Sequence, residues 1–328
     1  MIFKESGTLV NKKHLPVYIF AAVLLFWLAC LPIFYADLIS QYFFMPFLGI
    51  VAATVANVTP TAAGIVYFPV MTRIHMDPAQ VVLYTLMIQS FGMSLGSIKW
   101  FIVDRKLFLK NVLVVSLIGG SIGIALAIFF FPVRDPQRIK TIFDYFSYVI
   151  VVLVLIRVLL QKKQGIVDFK LDYFSFTVLF AFSVFGGLVS GWIGFGVDII
   201  FYFILTIFYR INAAAAIVTS IVLMAGVSIV GTVLNSLLFT LPINIWFSAL
   251  PGVATGGLFI ATFLAVKARW WKVLVFFLYF FVVQIFLGYV YEREQLAAYL
   301  LGLLKINVII AYLVIMDVVV FNVTYKKL

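Results

Sequence analysis

The sequence predicts an all-α integral membrane protein, and three observations lead to this class. Of its 328 residues, 65% are hydrophobic and only 11% are charged, and the mean hydropathy is +1.21. Soluble domains are about 45–50% apolar and about 25% charged, so most of this chain must face lipid or other helices. The apolar residues form long runs between short polar connections. Two of these runs are interrupted by helix-breaking or small residues.

Eight runs are long enough to cross a bilayer, which takes about 20 residues of helix. The first run is too long for the apolar core of a signal peptide, so we predict that it is retained as a span. The single cysteine, Cys30, excludes an internal disulfide. The predicted full spans lie near residues 15–36, 80–99, 108–131, 140–160, 212–236, 243–266, 270–290 and 300–322.

The two interrupted runs, residues 43–72 and 174–209, are related by a constant spacing. Pro60 and Gly194 are 134 positions apart, and Thr85 and Thr219 have the same separation. Paired broken segments at corresponding places in two halves indicate the substrate site of a secondary transporter. We therefore predict one membrane domain that contains two repeats. Repeat A covers residues 43–160 and repeat B covers 174–290, with segments 1–36 and 300–328 outside them.

The basic residues indicate whether the broken segments cross the bilayer or turn back. Cytoplasmic loops are enriched in Lys and Arg. If both segments are re-entrant hairpins, 17 of the 23 Lys and Arg residues lie inside, including Lys99 and Arg157. If both segments cross the bilayer, only 13 of the 23 Lys and Arg residues lie inside. We therefore predict two hairpins that enter from opposite faces, repeats of inverted topology, and cytoplasmic termini in a cell inner membrane protein.

The first break carries residues typical of an anion site. Thr59 and Pro60 fit an N-cap and the first position of a helix. The N–H groups of Thr61, Ala62 and Ala63 would then point towards the membrane midplane, where a helix N-terminus attracts anions. Small residues in this stretch, including Gly64, would leave room for a ligand. They are equally consistent with close packing of helices alone.

The second break combines glycines with a carboxylate. Gly191, Gly194 and Gly196 permit a tight turn, and Asp198 falls in the first turn of the next helix. A carboxylate at this depth costs at least about 2.5–3.5 kcal/mol on insertion scales, which suggests a function. Asp198 could carry a coupled proton, cap its own helix or bind a cation.

The neighbouring helices add polar side chains that could hydrogen-bond an oxyanion without burying a charge. Ordinary contacts between helices, commonly worth about 0.6 kcal/mol in membranes, are the alternative explanation. The predicted substrate-binding set comprises Asn57, Thr59, Thr61, Ala62, Ala63, Gly64, Thr85, Gln89, Ser190, Gly191, Trp192, Gly194, Gly196, Thr219 and Ser220.

These two breaks resemble the TauE/SafE family of sulfite and organosulfonate exporters. The family carries a Gly-rich turn followed by a proline in each half. Ala62-Ala63-Gly64 with Pro69 is similar to the first copy, and residues 187–196 are closer to the second. Several family glycines are replaced, including one by Asp198, which marks a divergent branch. The resemblance implies transport of a small, often sulfur-containing anion, with proton coupling.

We therefore predict a secondary transporter, an exporter of a small anion that works by alternating access. No nucleophile–base set, phosphate loop or metal-ligand spacing is found, so no enzyme activity, cofactor or metal is predicted. The expected partners are a small anion, the bilayer and protons. The charge of +11 lies in loops between spans and does not indicate nucleic acid. An anion channel and a cation-coupled carrier that uses Asp198 are the alternatives, and the oligomeric state is left open.

Overall fold

A computed structural model describes residues 14–160, 169, 171–264, 270–291 and 293–325. Both terminal tails and many of the loop lysines that entered the predicted topology lie outside these residues. Within them the fold is all-helical. The helices are α1 (Leu15–Ser40), α2 (Met45–Val58), α3 (Gly64–Arg73), α4 (Pro78–Val103), α5 (Lys110–Phe129), α6 (Pro136–Leu160), α7 (Tyr173–Ile193), α8 (Val197–Phe203), α9 (Ala213–Ser236), α10 (Ile243–Thr255), α11 (Trp270–Tyr291) and α12 (Leu296–Tyr325).

Two helices continue into π-helical turns. Ile204–Phe208 extends α8, and Gly256–Ile260 extends α10. Seven of the described helices are long and apolar enough to cross a membrane, or eight if the two bent parts of α12 form one span. Six of the eight predicted spans coincide with these helices, and a seventh falls on the bent α12. The predicted span 270–290 is not among them, because the apolar helix found there covers only Val275–Tyr291. The other difference is α7, whose 21 residues reach about 31 Å and could cross a bilayer alone.

Close helix packing at glycines links the two halves of the chain. Gly119 of α5 lies against the Phe180 carbonyl of α7, and Gly123 lies against the Val184 carbonyl. From the first of these contacts to the second, the residue number increases along both helices, so α5 and α7 run parallel. In the same way, Gly252 lies against the Pro46 carbonyl, so α10 packs along α2. Each half therefore supplies a long helix that packs against the first arm of the other half's broken segment.

The first broken segment, α2 and α3, starts and ends near the connection between α11 and α12. At its start, the rings of Phe44 and Tyr291 lie 5.6 Å apart, with Tyr291 ending α11. At its end, the Arg73 guanidinium packs on Gly302, in the second turn of α12. Both ends of the first broken segment therefore lie beside the same part of the chain.

The second broken segment, α7 and α8, is likewise flanked by residues that lie close together. Phe169, just before α7, meets Tyr209, just after the π-helical turn of α8, edge to face, with ring centroids 4.8 Å apart. The two segments end beside opposite ends of α6. Arg73 shares a cavity with Lys140 near the start of α6, whereas Arg157 near its end lies over the Tyr202 ring of α8.

Candidate functional site

The first break is a non-helical bridge, residues 59–63, that is fully buried. The prediction that Thr59 caps a helix beginning at Pro60 is wrong. The Thr59 N–H and hydroxyl both donate to the Val55 carbonyl, at 3.0 and 2.8 Å, so Thr59 ends α2. Thr59 also bonds to the Thr61 hydroxyl at 2.5 Å and accepts from the Thr61 N–H at 3.2 Å. Because Thr59 is engaged this way, α3 begins only at Gly64.

The second break is a tight turn built on two glycines. Gly194 and Gly196 have positive φ angles of 85° and 142°, a conformation that favours glycine. The Ser190 hydroxyl accepts from the Val197 N–H at 2.9 Å and so holds the start of α8 against α7. Gly191 was also expected in the turn. It lies instead within α7, packed on Ala127, where a small residue lets α5 and α7 approach closely.

The two breaks meet at α4. Gly64 packs directly on the Phe195 ring of the other break and on the Thr85 side chain. A Cβ atom on Gly194 would lie 3.0 Å from the Thr85 Cβ, so Thr85 stands between the two segments. The Thr85 hydroxyl donates to the Val81 carbonyl of its own helix at 2.6 Å. Its methyl group therefore makes the contact with the Gly64 side of the site.

Asp198 lies in the second break, on the side that approaches the first. It is completely buried in the first turn of α8, as predicted, and its Oδ1 accepts from the Gly196 N–H at 3.3 Å. The backbone N–H of Ala62, in the first break, lies close to this carboxylate. Oδ2 of Asp198 has no hydrogen-bond partner among the described residues. A buried carboxylate of the second segment thus lies near one amide that was predicted to bind an anion.

A small cavity adjoins the first break. Its volume is about 10 Å³, which is room for at most one water molecule. Gln89 bridges from this cavity to the second break, because its Nε2 donates to the Gly194 carbonyl at 2.9 Å. Asn57 donates from Nδ2 to the Ala53 carbonyl at 2.8 Å. The Oδ1 of Asn57 and the Oε1 of Gln89 are buried without hydrogen-bond partners. The cavity is lined by Ala53, Ala56, Asn57, Ala63, Tyr67, Ile88, Gln89, Gly92, Met93 and Val253.

Three of the predicted site residues lie elsewhere. The Thr219 hydroxyl donates to the Ala215 carbonyl at 2.7 Å and accepts from the Leu109 N–H at 3.3 Å, beside the start of α5. Ser220 donates to the Ile217 carbonyl of its own helix at 2.8 Å. The Trp192 indole donates to the Phe131 carbonyl at 2.8 Å, just beyond the end of α5. Each of these polar groups is hydrogen-bonded to backbone away from the contact between Gly64 and Phe195.

Two buried cations were not predicted from the sequence. Lys99 and Arg157 were placed among the cytoplasmic loop charges, but they are only 1% and 4% exposed. The Lys99 Nζ donates to the Gly257 carbonyl at 3.2 Å and lies 4.3 Å from the centre of the Trp100 ring. The sequence did contain one indication that Lys99 is buried, because the apolar run around it continues to Val103. Because both side chains are buried, Lys99 and Arg157 should not be counted among the loop charges that indicate membrane topology.

A larger, polar cavity of about 590 Å³ lies between α3 and α6, and we call it the α3–α6 vestibule. It contains two basic side chains, Arg73 and Lys140, together with His75 and Asp144. Phe68 and Pro69 of α3 also line the vestibule. The vestibule therefore lies beside α3, the helix that begins after the first break.

An all-helical chain with seven or eight candidate spans, two of whose buried helical segments are broken and meet, defines a multi-pass membrane protein of the transporter type. The sequence profile of the family described as sulfite exporter TauE/SafE matches residues 45–287, which is most of the chain. The chain therefore belongs to the TauE/SafE family, whose members are transporters rather than enzymes. Searches of curated proteins and of solved structures gave no match.

Proposed function

We propose that this protein is an inner-membrane secondary transporter that exports a small anion, a sulfur oxyanion or an organosulfonate. Its termini are cytoplasmic, and segments 43–160 and 174–290 act as two repeats of inverted topology. The two broken segments are re-entrant hairpins that open to opposite faces. Support comes from the ring contacts at the ends of each segment and from their attachment at opposite ends of α6.

One observation supports this proposal: the two broken segments meet in a buried site, where Gly64 of the first packs on the Phe195 ring of the second, three residues before the buried Asp198. Discontinuous helices that meet within the protein are the usual substrate and coupling-ion sites of secondary transporters. Non-helical backbone at membrane depth is tolerated only where protein or a cavity surrounds it. Both breaks meet that condition, because residues 59–63 and 194–196 are buried.

The anion is proposed to bind at the amides of Ala62, Ala63 and Gly64. The cavity of about 10 Å³ is too small for an oxyanion, so we assign this conformation to a closed, substrate-free state. Asp198 then stands where the anion would bind. Two negative charges cannot share the Ala62 amide cheaply, so Asp198 must take up a proton or move away when substrate arrives. This exchange would couple anion transport to protons.

Transport in proteoliposomes tests the proposal. Purified protein should catalyse saturable counterflow of sulfite or of a small organosulfonate, and a proton gradient should drive net accumulation. Single-channel currents without saturation would instead identify an anion channel. Sodium-dependent flux that ignores the anion supplied, and that is lost in Asp198→Asn, would identify a cation carrier. Absence of flux for every anion would contradict the proposal.

A further inference from the structure

We propose that Lys99 supplies a positive charge that holds the transported oxyanion. This inference rests on the proposed function, because it concerns the same site. Lys99 lies in α4, the helix on which the two breaks meet, three residues after Gly96. The Asn57 side chain packs directly on Gly96.

Burial of Lys99 is costly unless the charge is used. Its side chain is 1% exposed, and no acidic residue in the described part of the chain forms an ion pair with it. A lysine within a membrane span is costly to insert, and such residues commonly mark ion or substrate pathways. An anionic substrate would provide the missing counter-charge.

The ammonium group retains capacity for further hydrogen bonds. A lysine has three donors, and the Nζ of Lys99 makes one hydrogen bond, to the Gly257 carbonyl at 3.2 Å. The Trp100 ring, 4.3 Å away, adds a weak attraction for the cation. Neither neighbour neutralises the charge. Lys99 can therefore bind an oxygen atom of a substrate if the surrounding helices separate slightly.

Lys99 is separated from the small cavity beside the first break by Gly257 and its neighbours. Gly257, which accepts its hydrogen bond, lies against the Asn57 amide and faces the Gly92 carbonyl. Asn57 and Gly92 both line the cavity next to Ala63. Gly257 also belongs to the π-helical turn of α10, a local irregularity that is frequent at functional sites. Opening of the cavity towards Gly257 would bring an anion between the Lys99 ammonium and the amides of the first break.

A structural role offers a different explanation of the same contacts. Lys99 lies close to the end of α2, where backbone carbonyls carry a partial negative charge that a cation stabilises. Loss of Lys99 would then lower the stability of the fold. It would not change affinity in proportion to the charge of the ligand. The dependence on ligand charge therefore separates the two roles.

The experiment measures binding by calorimetry to Lys99→Met, Lys99→Gln and wild-type protein in nanodiscs. The probes are methanesulfonate, with one negative charge, and sulfoacetate, with two. Since Coulomb energy doubles with ligand charge, we expect roughly 10-fold weaker binding of methanesulfonate and roughly 100-fold weaker binding of sulfoacetate. Lys106→Met, which removes an exposed lysine near the same end of α4, should bind both probes like the wild type.

Two results would overturn the assignment. One is a loss of less than threefold, in folded Lys99→Gln or Lys99→Met, for every anion that the wild type binds. The other is an equal loss for the singly and doubly charged probes, which would indicate a structural role. If the wild type itself binds and transports no anion, the proposed function fails first, so the two failures can be told apart.

Discussion

The Nε2 of Gln89 donates to the Gly194 carbonyl at 2.9 Å, which ties α4 of the first half to the turn of the second broken segment. Both groups are buried, and they are 105 residues apart in the chain. The bond gives the turn an anchor on the helix where the two breaks meet. This hydrogen bond is therefore a direct link between the two halves of the protein.

Replacement of Gln89 by Leu should impair transport. It leaves the buried Gly194 carbonyl without this donor, at a cost of about 1–3 kcal/mol. We expect substrate affinity in a binding assay to fall together with the unfolding temperature. Asn235→Leu, which removes a buried amide bonded to Gly231 of its own helix, is the matched control. The control should lower stability alone, and equal effects of both variants on affinity would contradict the role of Gln89.

The amide variant Asp198→Asn should separate proton coupling from anion movement. It keeps the size of the side chain but can neither carry the coupled proton nor oppose an anion by charge. We expect proton-driven accumulation in proteoliposomes to be lost, anion exchange to persist, and anion affinity to rise because the Ala62 amide is no longer facing a carboxylate. Asp144→Asn, an exposed acid of the α3–α6 vestibule, should retain coupling. Intact coupling in Asp198→Asn would leave Asp198 as a helix cap only.

Gly64→Ala should push the two breaks apart. The new Cβ would overlap the Phe195 ring and lie 2.9 Å from the Thr85 Cγ2. Overpacking of this kind typically costs about 1–3 kcal/mol. The closed state should lose stability, measured as a lower unfolding temperature without ligand. Phe195→Leu should restore part of it in the double variant, because residues in contact are coupled. Additive losses would show that Gly64 and Phe195 do not interact.

Lys140→Gln should slow anion entry from the side of the α3–α6 vestibule. Lys140 is exposed, so its effect is long-range attraction, which salt screens. We expect a reduced rate of uptake at low ionic strength and a smaller difference from the wild type at about 0.5 M salt. Arg138→Gln, an exposed arginine paired with Asp135 and outside the vestibule lining, is the control. A deficit that does not depend on salt would argue against electrostatic attraction.

Most of the helices could be predicted from the sequence, because long apolar runs leave few options in a membrane. The second break was also predictable: Gly194 and Gly196 are residues that permit positive φ, and both adopt it. The first break was less accessible. A threonine followed by proline can begin one helix or end another, and only the hydrogen bond from Thr59 to Val55 distinguishes the two.

Side-chain partners were harder to predict than helices. Thr85 and Thr219 occupy equivalent positions in the sequence, but Thr85 touches the breaks and Thr219 bonds to the chain before α5. The burial of Lys99 depends on helices from both halves of the protein. A count of charges along the chain treats such a residue as a loop lysine, because the count contains no information about the neighbours supplied by α10.

Labelling from either side of the membrane tests most directly that both broken segments turn back, from opposite faces. In a Cys30→Ala background, single cysteines would replace the exposed residues Gln41 and Gln80, which flank the first segment, and Tyr173 and Arg210, which flank the second. An impermeant maleimide should reach positions 41 and 80 from one face only, and positions 173 and 210 from the other. Labelling of 41 and 80 from opposite faces, or of 173 and 210 from opposite faces, would contradict the hairpins and the shared anion site built on them.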